Sequence, residues 1–306
     1  MAERVLRGDP HTTVKQELLV RYLDAWTPTV LRSYRRATYL EASRDGSVAA
    51  ALRVFGEFAD RIEGHQLDVV VLGSSAEPLA DETDGLALRT VERVADLEVA
   101  GPVLAHLDLV GDGPLDEAAA WRLVPSLAKG KARELLITLP AVGAPQVAEY
   151  RVRLRQAGLT FVAAVELADD SGRTQLLVFA TAVEKHLSAF KDALWSADEY
   201  AGIRYRDPGD AEHTPIDISF NPQLLPLRRA LLEELATRGA CPVADLQRYA
   251  LTDTIYRPAD AVRVLTALAT AGAITREPEK GRLAPKTVVA PAEPRSSQDI
   301  SRPRDR

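Results

Sequence analysis

Residues 37–73, ATYLEASRDGSVAAALRVFGEFADRIEGHQLDVVVLG, decide how the rest of the chain is read. An apolar run, ATYLEA (37–42), breaks at a short polar loop and gives way to the amphipathic stretch GSVAAALRVFGEFADRI (46–62). LDVVVLG (67–73), dense in Val and Leu, follows. Short runs of nearly continuous hydrophobicity predict strands covered on both faces, and apolar residues at helical spacing between them predict a helix. Strand, loop, helix, strand is the repeating unit of an α/β fold. Its first loop, here between Glu41 and Ser47, is where such folds bring backbone close to a nucleotide-like cofactor.

The unit repeats downstream. LDVVVLG precedes a helical stretch within 79–98, PVLAHLDLV (102–110) precedes another around 115–129, and RELLITLP (133–140) leads to APQVAEYRVRLRQAG (144–158). LTFVAAVELADDSGRTQLLVFAT (159–181) then alternates apolar and polar residues around DDSG, a hairpin signal. The fold class expected is a Rossmann-like, class I methyltransferase-like, doubly wound sheet ending in an antiparallel hairpin. Ahead of it, TVKQELLVRYLDAWTPTVLRSY (13–34) places Leu18, Leu19, Tyr22, Leu23 and Trp26 on one helical face, with Pro28 expected to kink or restart it.

Behind the α/β part, AVEKHLSAFKDALWSADEY (182–200) reads as one more amphipathic helix, and residues 201–219, with RDPGD and HTP, read as a linker. PLRRALLEELATRG (226–239), CPVADLQRYAL (241–251) and RPADAVRVLTALATAG (257–272) read as three helices, the first and third ended by Gly239 and Gly272. AITREPEKGRLAP (273–285) reads as two short strands around a charged turn, which completes the layout of a winged helix-turn-helix. The boundaries expected are an N-terminal helical segment, 1–36; a methyltransferase-like domain, 37–200; the linker, 201–219; the winged helix, 220–285; and a disordered tail, 286–306, rich in Pro, Ser and charge.

A length of 306 residues, 46% hydrophobic and 27% charged, suits two soluble domains with proper cores. No apolar run reaches the length of a membrane span, and MAERVLRGDPHTT lacks a signal-peptide core, so a cytoplasmic protein is expected. One cysteine, Cys241, excludes an internal disulfide, and five scattered histidines offer no metal-ligand spacing; no metal is expected. The net charge of −6 is uneven. From Ile218 onward 14 Lys and Arg face 10 Asp and Glu, so the acidic charge belongs to the first part of the chain. A basic C-terminal part suits an anionic partner, or simple surface solvation.

Candidate residues follow from these placements. At the strand ends, Glu41 and Gly46 in the first loop and Glu77 after the second strand are the candidates to meet S-adenosylmethionine, with Arg44 standing where glycines are expected. Asp108, at the end of HLD, either orients an amine or acts as a base, or else caps its own loop. His11 and Lys15, at i and i+4, either hold an anion or form a solvated helix face. In the winged helix, Arg257 and Arg263, Arg248 beside Tyr249, and Arg276, Lys280 and Arg282 on the wing are the candidates for nucleic-acid phosphates. The third helix is small and apolar, with few side chains for reading bases, so protein docking or dimerisation stays open beside nucleic-acid binding. No G-x-S-x-G or Walker-type loop is present, so hydrolase and NTPase readings lack support.

HTTVKQELLVRYLDAWTPTVL, the YLEA strand with its later GS, VLAHLDLVG and LLVFATAVEKHLSAFKDALWSAD occur in the order found in the three-Cys-motif partner proteins, TcmP, and the chain resembles that family over most of residues 11–200. The resemblance implies a methyltransferase-like domain, often followed by a winged helix. The family's Asp-Phe-Ala-Gly-Pro-Gly loop is replaced here by Ala42, Ser43 and Arg44 after Glu41, and its Asp-Pro-Phe-Gly stretch by Asp108, Leu109, Val110 and Gly111. The expectation is therefore a non-catalytic scaffold whose winged helix binds DNA or a protein, without a cofactor. The alternative is an S-adenosylmethionine-dependent methyltransferase with an altered loop. A purely structural homo-oligomer is a third reading.

Overall fold

The computed structural model describes residues 9–73, 85–111, 113–198 and 202–292, and within them the chain divides into two compact units. Leu224–Ala250 and the residues from Tyr256 onward make the second unit; everything before, together with Leu251–Ile255, makes the first.

The first unit opens on helix α1 (Pro10–Ser33), started by Asp9, whose carboxylate accepts from the Thr12 amide, and by Pro10 in its first turn. It continues through Pro28 without restarting there. Proline removes one backbone bond there, while a stripe of buried residues from Val14 to Leu31 holds the helix on both sides. Strand β1 (Arg36–Ala42), α2 (Ser47–Glu57), the single turn α3 (Ala59–Ile62) and β2 (Gln66–Leu72) follow as the opening stretch predicts. The next element differs. Of the range 79–98, where a helix was expected, 79–84 lie outside the described residues; in the rest LALRTV is strand β3 (Leu86–Val91), parallel to β2, and a 3-10 turn, Val94–Asp96, follows it. Six residues suffice for an edge strand whose Leu86 and Val91 are buried, and six are too few for a stable helix.

Then come β4 (Val103–Asp108), α4 (Glu117–Leu127), β5 (Arg133–Pro140), α5 (Ala144–Gln156), β6 (Phe161–Asp169), β7 (Thr174–Thr181) and α6 (Glu184–Leu194). The stretch read as a linker contains β8 (Ile203–Arg206) and β9 (Ile216–Asp217), which extend the sheet. Ile203, Tyr205 and Ile216 alternate with charged residues and are buried, a period-2 signal too short to register beside RDPGD.

Among the described residues nine strands form one mixed sheet in the order β3-β2-β1-β4-β5-β7-β6-β8-β9. β3 to β5 are parallel neighbours, and β7 pairs antiparallel with both β5 and β6. Side chains alternate between faces along each strand. Leu40, Ala42, Ala105, Leu107, Leu135 and Ile137 join Trp121, Leu127, Tyr150 and Leu154 of α4 and α5 in one core. The opposite set faces α1, α2 and α6: Tyr39 meets Phe55 edge-on, and Tyr22, Phe179 and Phe190 form an aromatic cluster. That second face also carries Glu41, His106, Asp108 and Glu134, all buried. Among the described residues no helix is long and apolar enough to cross a membrane.

In the second unit α7 (Leu225–Arg238), β10 (Cys241–Pro242), α8 (Val243–Asp253), α9 (Pro258–Thr270), β11 (Ile274–Glu277) and β12 (Val288–Pro291) follow in order, and the strands form a sheet β10-β12-β11. The strand pairing with β11 lies beyond the expected boundary at 285. Pro285 lies in a turn closed by the Thr287 amide on the Ala284 carbonyl, and Val288–Val289, with Val289 fully buried, offers the next β-branched pair. The remainder of the tail, 293–306, lies outside the described residues.

Candidate functional site

The order of the sheet reverses between β1 and β4, so the crevice outside their carboxyl ends is the switch point at which α/β sheets bind ligands. Its walls are the loop from Ser43 to Gly46 and the turn after Asp108. Asp45 organises the loop: its Oδ1 accepts from Ser43 Oγ at 2.9 Å, from the Ser47 amide at 3.1 Å and from Ser47 Oγ at 2.5 Å. This Asx-type turn starts α2. Gly46 has φ +83°, which glycine adopts without strain, and a Cβ there would lie 3.3 Å from Gln16 Nε2. Across the crevice, Asp108 Oδ1 accepts from the Val110 amide at 3.0 Å, and a Cβ on Gly113 would lie 2.7 Å from the Asp108 carbonyl oxygen.

Helix α1 enters this crevice. Lys15 Nζ lies 2.5 Å from Asp108 Oδ2 and 3.9 Å from Asp45 Oδ2, and Lys15 and Asp108 are both buried. One residue on, Gln16 Nε2 donates to the Asp45 carbonyl. One turn earlier, His11 is fully buried, its Nε2 3.2 Å from the Leu167 carbonyl and its Nδ1 3.7 Å from Asp169. His11 and Lys15 thus point into the protein, each toward a different carboxylate. The crevice holds a cavity of about 220 Å³ lined by Arg44, Asp45, Asp108, Val110 and Gly113. Arg44 itself is exposed.

Beneath this layer lies a second polar row on the α1 face. Glu41 takes the hydroxyl of Tyr39 and sits 2.9 and 3.0 Å from His106 Nδ1 through its two oxygens. Glu134, on β5, accepts from Tyr22 of α1 and lies 2.8 Å from His186 Nδ1 of α6. Burial disfavours a charged His106, but Glu41 beside it, with Asp45 and Asp108 further off, raises its pKa above the usual imidazole value. Burial would likewise raise Asp45; His106, the Ser47 hydroxyl and Lys15 outweigh it and hold the carboxylate below its ordinary range. Tyr22 and Tyr39 are pushed well above the ordinary phenol value by burial and by the carboxylates they face. Among the described residues the buried His106 Nε2 has no hydrogen-bond partner.

Of the sequence candidates, Gly46 and Asp108 border the crevice and Glu41 lies a layer below it. Glu77 falls outside the described residues. His106, Glu134 and Tyr22 escaped the reading, although HLD carries a signal, polar side chains two apart in a strand otherwise apolar, and RELLITL opens on a charged pair ahead of a run of Leu and Ile.

The basic residues of the second unit divide by their partners. Arg257 stands at the N-cap of α9, where its amide and its Nε both donate to Asp260 Oδ2, at 3.1 and 2.9 Å, and Arg263 lies 3.6 Å from the other Asp260 oxygen. Arg276 donates to the carbonyls of Pro278 and Gly281 and closes the turn after β11. Arg248, Lys280 and Arg282 are exposed.

No protein-family model and no curated protein matches the sequence, so the TcmP resemblance rests on the quoted stretches alone. Among solved structures the chain is similar to EvdMO1 (14% identity over 54% of this chain, TM-score 0.33), of whose length it spans 41%. It is also similar to protein LPL1258 from Legionella pneumophila, assigned to DUF519 (10% identity, 56% of this chain and 85% of that one, TM-score 0.35). A DUF574 family protein from Streptomyces avermitilis matches at 11% identity over 55% of this chain and 83% of that one, with a TM-score of 0.30. Likeness at this level adds nothing to what the strand order itself says.

Proposed function

We propose that the first unit is a methyltransferase-like scaffold that does not turn over a methyl donor, and that the second is a winged helix-turn-helix that docks a partner. The strand order supports the first half: β3-β2-β1-β4-β5, with β7 antiparallel between β5 and β6, is the arrangement of Rossmann-like methyltransferases, as in the TcmP family the sequence resembles. The observation that carries the loss of chemistry is Lys15, which reaches from α1 into the switch-point crevice and pairs with Asp108. The cavity there, about 220 Å³, is below the roughly 300–1,000 Å³ of small-molecule sites. Glu41, the acid nearest a cofactor's path, is turned to Tyr39 and His106 instead. These residues do not fit S-adenosylmethionine in this arrangement.

The order α7, β10, α8, α9, β11, β12 supports the winged helix. Arg257, Arg263 and Arg276 serve Asp260 and the turn carbonyls, which favours a protein partner over base reading; Lys280 and Arg282 keep phosphate contact open. The rival reading, a methyltransferase using Gly46 and Glu41 at the cofactor and Asp108 at the acceptor, draws on the one fact that the cavity opens beside Asp108. It requires α1 to withdraw Lys15. Calorimetric titration with S-adenosylmethionine and S-adenosylhomocysteine separates the two. The scaffold reading expects no heat at millimolar ligand; micromolar binding that Gly46→Arg abolishes would overturn it.

A further inference from the structure

A second concavity, of about 460 Å³, lies between α4 and α5 and is lined by Glu117, Ala118, Trp121, Arg122 and Arg153. It shares no residue with the switch-point crevice. Planar groups gather at it: the Trp121 ring stacks on Tyr150 with centroids 5.0 Å apart, and the Arg153 guanidinium lies over the Trp121 ring, 4.4 Å from its centroid. One carboxylate oxygen ties the two rings together, because Glu117 Oε1 accepts from Trp121 Nε1 at 3.0 Å and from the Tyr150 hydroxyl at 2.8 Å. Ala118 and Arg122, one helical turn apart on α4, share the rim with Glu117 and Trp121. Among the described residues neither Arg122 nor Arg153 is in an ion pair, and both are exposed.

We propose that this groove binds a nucleotide, its base stacked on the cluster of Arg153, Trp121 and Tyr150 and its phosphate held by Arg122. Three features select that ligand class. An arginine plane backed by an indole is a stacking surface for any base. A guanidinium on the rim without a carboxylate partner matches a phosphate. Glu117 Oε2, unused by the two rings, accepts from a base amino group. The ligand comes either free, as a mononucleotide, or as a segment of single-stranded nucleic acid, since the groove recognises the same base and phosphate in both.

The test is tryptophan fluorescence of the full chain. Trp26 and Trp195 are 2% and 0% exposed, so quenching reports the Trp121 groove. Titration with mononucleotides and with single-stranded oligonucleotides is expected to quench saturably. Affinity that grows with oligonucleotide length and falls with salt assigns the ligand to nucleic acid, and saturation by mononucleotides alone assigns it to free nucleotide. Arg122→Gln and Arg153→Gln, both at exposed positions, are each expected to weaken binding about tenfold or more with unchanged circular dichroism. No quenching at millimolar nucleotide, equal affinity for inorganic phosphate, or undiminished binding by the double variant would overturn the proposal. An outcome at this groove is distinct from one at the crevice: Gly46→Arg leaves it untouched, and Arg153→Gln leaves the crevice untouched.

Discussion

Lys15 pairs with Asp108 at the switch point of the sheet. A buried lysine beside two carboxylates is stable only as a pair, because each charge left alone in a low-dielectric site is strongly penalised. Lys15→Met should therefore cost about 3–5 kcal/mol, since it strands the Asp108 carboxylate against a methyl-thioether stem. Adding Asp108→Asn, which keeps an oxygen for the Val110 amide, should recover most of that loss. Urea denaturation of the single and double variants measures both numbers; additive losses would mean that the two side chains do not act as a pair. The sequence made Lys15 and His11 visible as an i, i+4 pair. It did not make visible that both lie on the buried face of α1, because the partners, Asp108 and Asp169, are 93 and 158 residues away along the chain and are brought there by the sheet.

At the scale of elements, β1 and β4 are joined by more than their ladder. Glu41 lies opposite His106 in the register, and the pair bonds across the strands on the α1 face. Because the folded-state pKa of His106 is raised above its ordinary 6.5, its contribution to stability is complete below pH 6.5 and is lost as pH rises through the folded value. Stability of the wild-type protein should accordingly decline over that window, and His106→Gln should flatten the profile. Thermal melts from pH 6 upward check it; a variant with the wild-type slope would assign the pH dependence elsewhere. Elements also show where local reading fails. LALRTV forms an edge strand because β2 offers it a parallel partner, and no periodicity within six residues can announce that.

The whole molecule interleaves its two units along the chain, since Leu251–Ile255 returns to the first unit from the middle of the second. There Lys191 Nζ donates to the Thr254 carbonyl at 2.7 Å, Trp195 Nε1 donates to the Ile255 carbonyl at 3.0 Å, and the Ile255 amide donates to Asp207 at 3.0 Å. All three side chains are buried. A fragment ending at Gln223 loses these partners and should be less stable than the same unit in the full chain by about 3 kcal/mol or more. Trp195 fluorescence during denaturation reads the difference directly. Equal midpoints would mean that the returning segment adds nothing to the first unit.

Much of the α/β unit could be read from the amino acids in order. The runs YLEA, VVVL, VLAHLD and ELLITL are dense enough in Val, Ile and Leu to be strands covered on both faces, and period and capping signals located α1, α2, α4 and α5. Those signals are local, so a chain can state them without being folded. The state of the crevice is not local. Glu41 faces His106, Lys15 fills the space beside Asp108, and Trp121 meets Arg153 only because the sheet sets β1 against β4 and the helices cover its two faces. Which polar groups share a pocket, and which are already paired, is fixed by packing between residues far apart in sequence, and tertiary structure alone decides it.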